Sequence, residues 1–224
     1  MLMKKTLIGS AIALTLAAGN VLAAVSATEA ARLGKELTPV GAEKNGNGGA
    51  IPAWTGGIES PAGFKVGSKH IDPFAGDKVQ FTITAQNYTK YAANLTEGQI
   101  AMFKKYPETY KMPVYQTRRS SGYPQNVYDK TKENATATKL VGGGNGMSNY
   151  DVGVPFPIPA DGIEVIWNHI VRYRGGSVSR VVGQATPQPN GSYTMVKFKD
   201  EFTFKNKLSD YDPATMKDNN ILFY

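Results

Sequence analysis

Between two runs of strand-forming residues the chain places Pro189-Asn190-Gly191, and this turn constrains the fold more than any other feature of the sequence. Proline, asparagine and glycine in succession are turn formers, so the flanking runs are expected to pair antiparallel. The first run, Val178 to Thr186, is entered from Gly175-Gly176. In the second, Tyr193 to Phe204, the residues Thr194, Val196, Phe198, Phe202 and Phe204 share one parity and therefore one face. Upstream, Ile163 to Tyr173 also divides by parity, with Ile163, Val165, Trp167, His169, Val171 and Tyr173 on one side. The pattern predicts a third strand there, and so an antiparallel meander over 163–204 with an aromatic inner face.

The start of the chain reads as an export signal. Lys4 and Lys5 precede the apolar stretch Thr6 to Ala18, and Val21-Leu22-Ala23 offers small residues for cleavage after Ala23. The stretch is shorter than the roughly 20 residues of a membrane-spanning helix, so residues 1–23 are expected to be removed and residues 24–224 to work in the periplasm as one domain, peripheral to the membrane at most. The chain has no cysteine, which excludes disulfides, thiolate metal sites, a cysteine nucleophile and a lipidated N-terminal cysteine. The formal charge is +7, with two of the lysines in the leader, and the densest basic pairs are Lys104-Lys105 and Arg118-Arg119. No nucleic-acid partner is expected from so mild an excess.

The rest of the chain mixes short helices with irregular structure. Ala24 to Leu37 reads as a helix closed by Pro39, and 38–78 is rich in glycine and proline with Trp54 and Phe64 embedded, an ordered but irregular segment. A helical insert is expected over 86–112. Its signals are a Thr96-x-x-Gln99 capping box followed by Ile100, Phe103 and Tyr106, preceded by Tyr88, Tyr91, Ala92 and Leu95 at spacings of three and four. Residues 113–160 look like loops and short strands, and Asn220 to Tyr224 is an apolar, strand-like end. A sheet stopping there would expose an edge, so more strands are expected beyond it.

No motif supports catalysis. The glycines of 142–146 lack a following Gly-Lys-Ser/Thr, His70 and His169 have no carboxylate at ligand spacing, and Ser120-Ser121 lack a nucleophile elbow. No metal and no cofactor are expected.

One constellation is left over: Val154-Pro155-Phe156-Pro157-Ile158-Pro159, then Gly162, Glu164, Trp167-Asn168-His169, Arg172 and Arg174-Gly175. Together with Thr38-Pro39-Val40-Gly41-Ala42, Ile51 to Gly57, Phe81 to Asn87, Tyr106 to Tyr110 and Tyr115 to Arg119, it resembles a proteobacterial envelope family catalogued as domain of unknown function 1329. That family is similar to the LolA/LolB periplasmic lipoprotein carriers. The resemblance implies a mainly β, α+β fold with a curved antiparallel half-barrel sheet, a helical insert and a chain of about twice this length. It further implies partnership with a resistance-nodulation-division type transporter and an outer-membrane protein.

A carrier of this kind hides apolar cargo from water at about 25 cal/mol per Å². The expected cavity wall is Val165, Trp167, Val171 and Tyr173 with Phe198 and Phe202, and the expected lid is Tyr88, Tyr91 and Phe103. The cargo would be an apolar small molecule or lipid. Two other readings stay open, a non-catalytic bridge between transporter and outer membrane and an enzyme completed by a missing C-terminal half.

Overall fold

In the computed structural model, residues 24–204 and 207–208 are described, together with the backbone of 222 and 223. The segment 1–23, expected to be a leader, and most of the last sixteen positions lie outside the described residues. The elements are α1 (Ala27–Ala30), β1 (Phe81–Ile83), α2 (Glu97–Lys105), β2 (Met112–Val114), α3 (Gln125–Ala137), β3 (Lys139–Val141), β4 (Gly146–Ser148), α4 (Gly162–Ile170), β5 (Ser177–Pro187), β6 (Tyr193–Thr203) and β7 (Leu222–Phe223). The strands form three antiparallel sheets, β1-β2, β3-β4 and β5-β6-β7. The fold is α+β, and no sheet closes into a barrel among the described residues.

The turn at Asn190-Gly191 gives the longest paired element. β5 and β6 pair without a bulge from Ser177↔Thr203 to Pro187↔Tyr193. Gly191 takes a φ of +83°, and Asn190 Oδ1 accepts from the Ser192 amide at 3.0 Å. A side-chain acceptor two residues back is the usual device for holding such a turn.

The insert also follows its local signals. Thr96 Oγ1 accepts from the Gln99 amide at 3.2 Å while Gln99 Oε1 accepts from the Thr96 amide at 2.9 Å, a complete capping box at the start of α2. A 3-10 helix, Tyr88–Asn94, precedes it. Phe103, fully buried, stacks on Tyr88 at 5.5 Å between ring centroids and tilts against Tyr110 at 4.7 Å. Burying one such ring contributes roughly 2 kcal/mol from area alone.

Three expectations are corrected. Residues 162–170 are a helix, α4, where a strand was expected over 163–173, so the meander lacks its first strand and only its hairpin stands. Asp161 is the cause: its Oδ1 accepts from the amides of Ile163 (2.9 Å) and Glu164 (3.2 Å), and this N-cap commits the following turn to helix. Second, 113–160 contains the thirteen-residue helix α3, which was not expected. Its buried stripe is Val127, Thr131, Asn134 and Ala135, half of it polar. Third, the first helix ends at Ala30 after only four residues, well short of Leu37. Beyond it Gly34 takes a φ of +78°, and Leu37 bridges Leu33 and Glu43.

Two small clusters hold these parts together. Ala30, Leu33, Leu37 and Ala135 join α1 to α3, with Val25 and Ile158 against them. Met147, Tyr150 and Phe156 form the second, with Leu140, Trp167 and Val171 packed on it.

Polar side chains fasten the loops between. Thr131 Oγ1 donates to the Val127 carbonyl (2.8 Å) and accepts from the Val154 amide (3.1 Å), and Asn134 donates to the carbonyls of Val152 (2.8 Å) and Val154 (3.2 Å). Gly153, with a φ of +92°, lies so close that an added Cβ would fall 2.5 Å from Thr131 Oγ1. In the irregular segment the Arg119 guanidinium gathers the carbonyls of Lys44, Asn45 and Pro52, each at 3.3 Å, and that of Glu43. One half-buried cation thus orders a loop that has almost no regular backbone pairing.

Candidate functional site

The nine residues expected to form a cavity fall into separate groups. Trp167 and Val171 pack with Met147, Tyr150 and Phe156, and the Trp167 indole donates to the Gly144 carbonyl at 2.9 Å. Tyr173 meets Tyr123 edge-on at 5.9 Å. Tyr91 stacks on Phe81 at 5.1 Å, and Tyr88 and Phe103 belong to the packing of α2. Phe103, being wholly buried, presents no surface to a cargo. Val165 and Phe198 are 52% and 40% exposed, and Phe202 is buried at the base of the hairpin.

Because α4 is a helix, Trp167 and Asn168 need not oppose each other. Successive helical residues are about 100° apart, so both turn toward the packed side. Asn168 brackets the backbone of Phe156, accepting from its amide at 2.9 Å and donating to its carbonyl at 2.7 Å. Glu164 is buried and accepts from the Ala160 amide at 2.5 Å. These polar residues account for the proline-rich segment: they supply the partners its backbone needs. The outward side of α4 carries Ile163, Val165, Ile166 and Ile170, all more than one third exposed.

The hairpin presents two unlike faces. On one, the cross-strand pairs are Val178–Phe202, Arg180–Asp200, Val182–Phe198 and Gln184–Val196. Arg180 forks onto the Asp200 carboxylate, Nε at 2.7 Å and Nη2 at 2.6 Å, with its guanidinium 5.3 Å from the Phe202 ring centre. That hydrogen-bonded guanidinium holds the Asp200 carboxyl below its usual range. On the other face Ser177 and Thr203 share a hydrogen bond at 2.6 Å, and Ser179 donates to Glu201 at 2.9 Å. Glu201 is also held below the usual carboxylate range, first by Lys199 and then by Ser179.

An open groove of about 270 Å³ runs along the hairpin base, lined by Ser177, Val178, Ser179, Glu201, Phe202 and Thr203. Toward the tip, Val196 (55%) and Phe198 (40%) stay open on the first face, and Val181 and Met195 on the second. Among the described residues no group of three or more His, Cys, Asp or Glu side chains could hold a metal ion. No helix among them is long and apolar enough to cross a membrane.

The sequence signals that point to this surface are the parity of β6 and the turn at Asn190-Gly191. The aliphatic exposure of α4 was hidden by the expectation of a strand, although Ile163, Ile166, Trp167 and Ile170 also fit helical spacing.

An antiparallel α+β fold with an exposed apolar hairpin is the class of protein that these elements define. Residues 82–224 match the family described as "protein of unknown function (DUF1329)", and the chain belongs to that family. It is 58% identical over 216 residues to the uncharacterized protein PA3922 of Pseudomonas aeruginosa, a match that covers 95% of this chain and 47% of the relative. The chain thus spans about half the length of the curated relative it matches. No solved structure matches it.

Proposed function

We propose that this chain is part of a periplasmic carrier or accessory protein that holds an apolar, lipid-like molecule against the β5–β6 sheet and passes it on in partnership with an envelope transporter. The observation behind this reading is the face on which Val196 and Phe198 stand open beside Val182 and above the buried Phe202. Exposed aromatic and β-branched side chains on one face of a sheet lose contact with water when an acyl chain or ring lies across them. The four aliphatic residues open on α4 are further apolar surface of the same sort. A curved half-barrel of the LolA/LolB type would give such a face its concavity, and the expected leader would deliver it to the periplasm.

A fluorescent fatty-acid probe titrated onto the protein tests this reading. Phe198→Asp and Val196→Asp each put a charge on the open face without disturbing a buried residue. Each should weaken probe binding about tenfold or more, the equivalent of roughly 1.4 kcal/mol. A folded parent that ignores the probe, or variants that bind it as the parent does, would contradict the proposal.

A further inference from the structure

The helix α4 is inverted. Toward the protein it turns the buried Glu164 and Asn168, the residue that brackets the Phe156 backbone. On the side turned away stand Ile163, Val165, Ile166 and Ile170, each between 38% and 53% exposed. A surface helix of a water-soluble domain ordinarily shows the opposite pattern, polar outward and apolar inward. Ile163, Ile166 and Ile170 are spaced by three and four residues, so their side chains adjoin and form a patch rather than scattered points. Such a patch marks contact with another apolar phase.

The charges beside the patch identify that phase. Arg172 Nη1 donates to the His169 carbonyl at 2.9 Å, which holds the guanidinium on the last turn of α4. Arg174 follows, also exposed, and the stem of the exposed Lys207 lies against Gly176. Among the described residues no ion pair joins these three cations to a carboxylate. The two acids of the helix are engaged: Asp161 caps its first turn and Glu164 accepts from the Ala160 amide. The patch therefore has a basic border at its C-terminal end. A protein partner is usually met by aromatic and hydrogen-bonding side chains, whereas this face is aliphatic apart from His169.

We propose that α4 docks the protein on an anionic lipid surface. The helix lies in the plane of the interface, with its isoleucines at the acyl boundary and Arg172 and Arg174 on the headgroup phosphates. Its nine residues are far too few to span a hydrocarbon core of roughly 30 Å, so the contact is peripheral. The proposal does not rest on cargo binding, which uses the β5–β6 face.

The chain has no cysteine, so Val165→Cys carries a single polarity-sensitive fluorophore on the contact itself. Its emission should shift to the blue with vesicles of phosphatidylglycerol and phosphatidylcholine in equal parts, and stay unchanged with phosphatidylcholine alone. In co-sedimentation with the anionic vesicles, Ile166→Asp should weaken binding at least about tenfold, and Arg172→Gln and Arg174→Gln about fivefold each. Phe198→Asp should sediment as the parent does. Vesicle binding that Phe198→Asp abolishes and Ile166→Asp spares would overturn the proposal and leave the cargo reading standing. Equal binding to both kinds of vesicle, or to neither, would also overturn it. So would a label already shifted before vesicles are added, because polypeptide would then cover the face, a second copy if the shift grows with protein concentration.

Discussion

The Trp167 indole N–H donates to the Gly144 carbonyl oxygen at 2.9 Å, tying α4 to the glycine turn between β3 and β4. Gly144 is buried with a φ of +94°, and an added Cβ would come 3.2 Å from Ile163 Cγ1. The glycine run is therefore a tight turn seated under a helix. Trp167→Phe should cost about 1 kcal/mol for the lost hydrogen bond, and Trp167→Ala about 3 kcal/mol as the ring leaves the Met147–Tyr150–Phe156 cluster. Denaturant unfolding checks both, and an unchanged midpoint for Trp167→Ala would show that the ring is not packed there.

The N-cap of α4 makes a separate prediction. Asp161→Ala removes the acceptor of the Ile163 and Glu164 amides and should destabilise by about 1 kcal/mol, with Asp161→Asn close to the parent. If 162–170 were a strand, the alanine variant would have no such effect.

The pairing of Asp77 with Arg118 has a pH signature. The Arg118 guanidinium, hydrogen-bonded to the Asp77 carboxylate and lying over the Phe74 ring at 4.6 Å, holds that carboxyl below its usual range. A lowered folded value means that the ionised form favours folding. Its contribution is fully present above the unfolded value of about 3.9 and is lost as pH falls through the lower folded value. The thermal midpoint should therefore fall on acidification below about pH 4, and it should fall less for Asp77→Asn. Identical pH profiles would contradict the pairing.

Arg119→Gln should loosen the segment that runs from Glu43 to Trp54, because four carbonyls lose one planar donor. Limited proteolysis is the readout: new cleavage within 43–54 is expected, with the hairpin untouched.

The legible parts of the sequence were those whose signals are local. Asn190-Gly191 and the Thr96–Gln99 box act through hydrogen bonds within a few residues, so the hairpin and α2 stand where the sequence puts them. α3 was not legible, because the stripe it buries includes Thr131 and Asn134, whose role is to satisfy the backbone of 152–154 from a distance. In α4 the alternation of apolar residues and a 3.6-residue period coincide, and the Asp161 cap decides between them. The candidate site was half legible for the same reason. Phe198 and Phe202 fall on one face of β6, as their parity requires. Trp167, Tyr88 and Phe103 are aromatics of the packing, and composition alone does not separate packing from a cavity wall.

The most direct measurement of the central claim is mass spectrometry of organic extracts from the protein purified from its own cells, parent beside Phe198→Asp, with circular dichroism confirming that both are folded. An apolar, lipid-like molecule should accompany the parent and be depleted at least about tenfold in the variant. A folded parent that carries none, or equal amounts in both, would contradict the account.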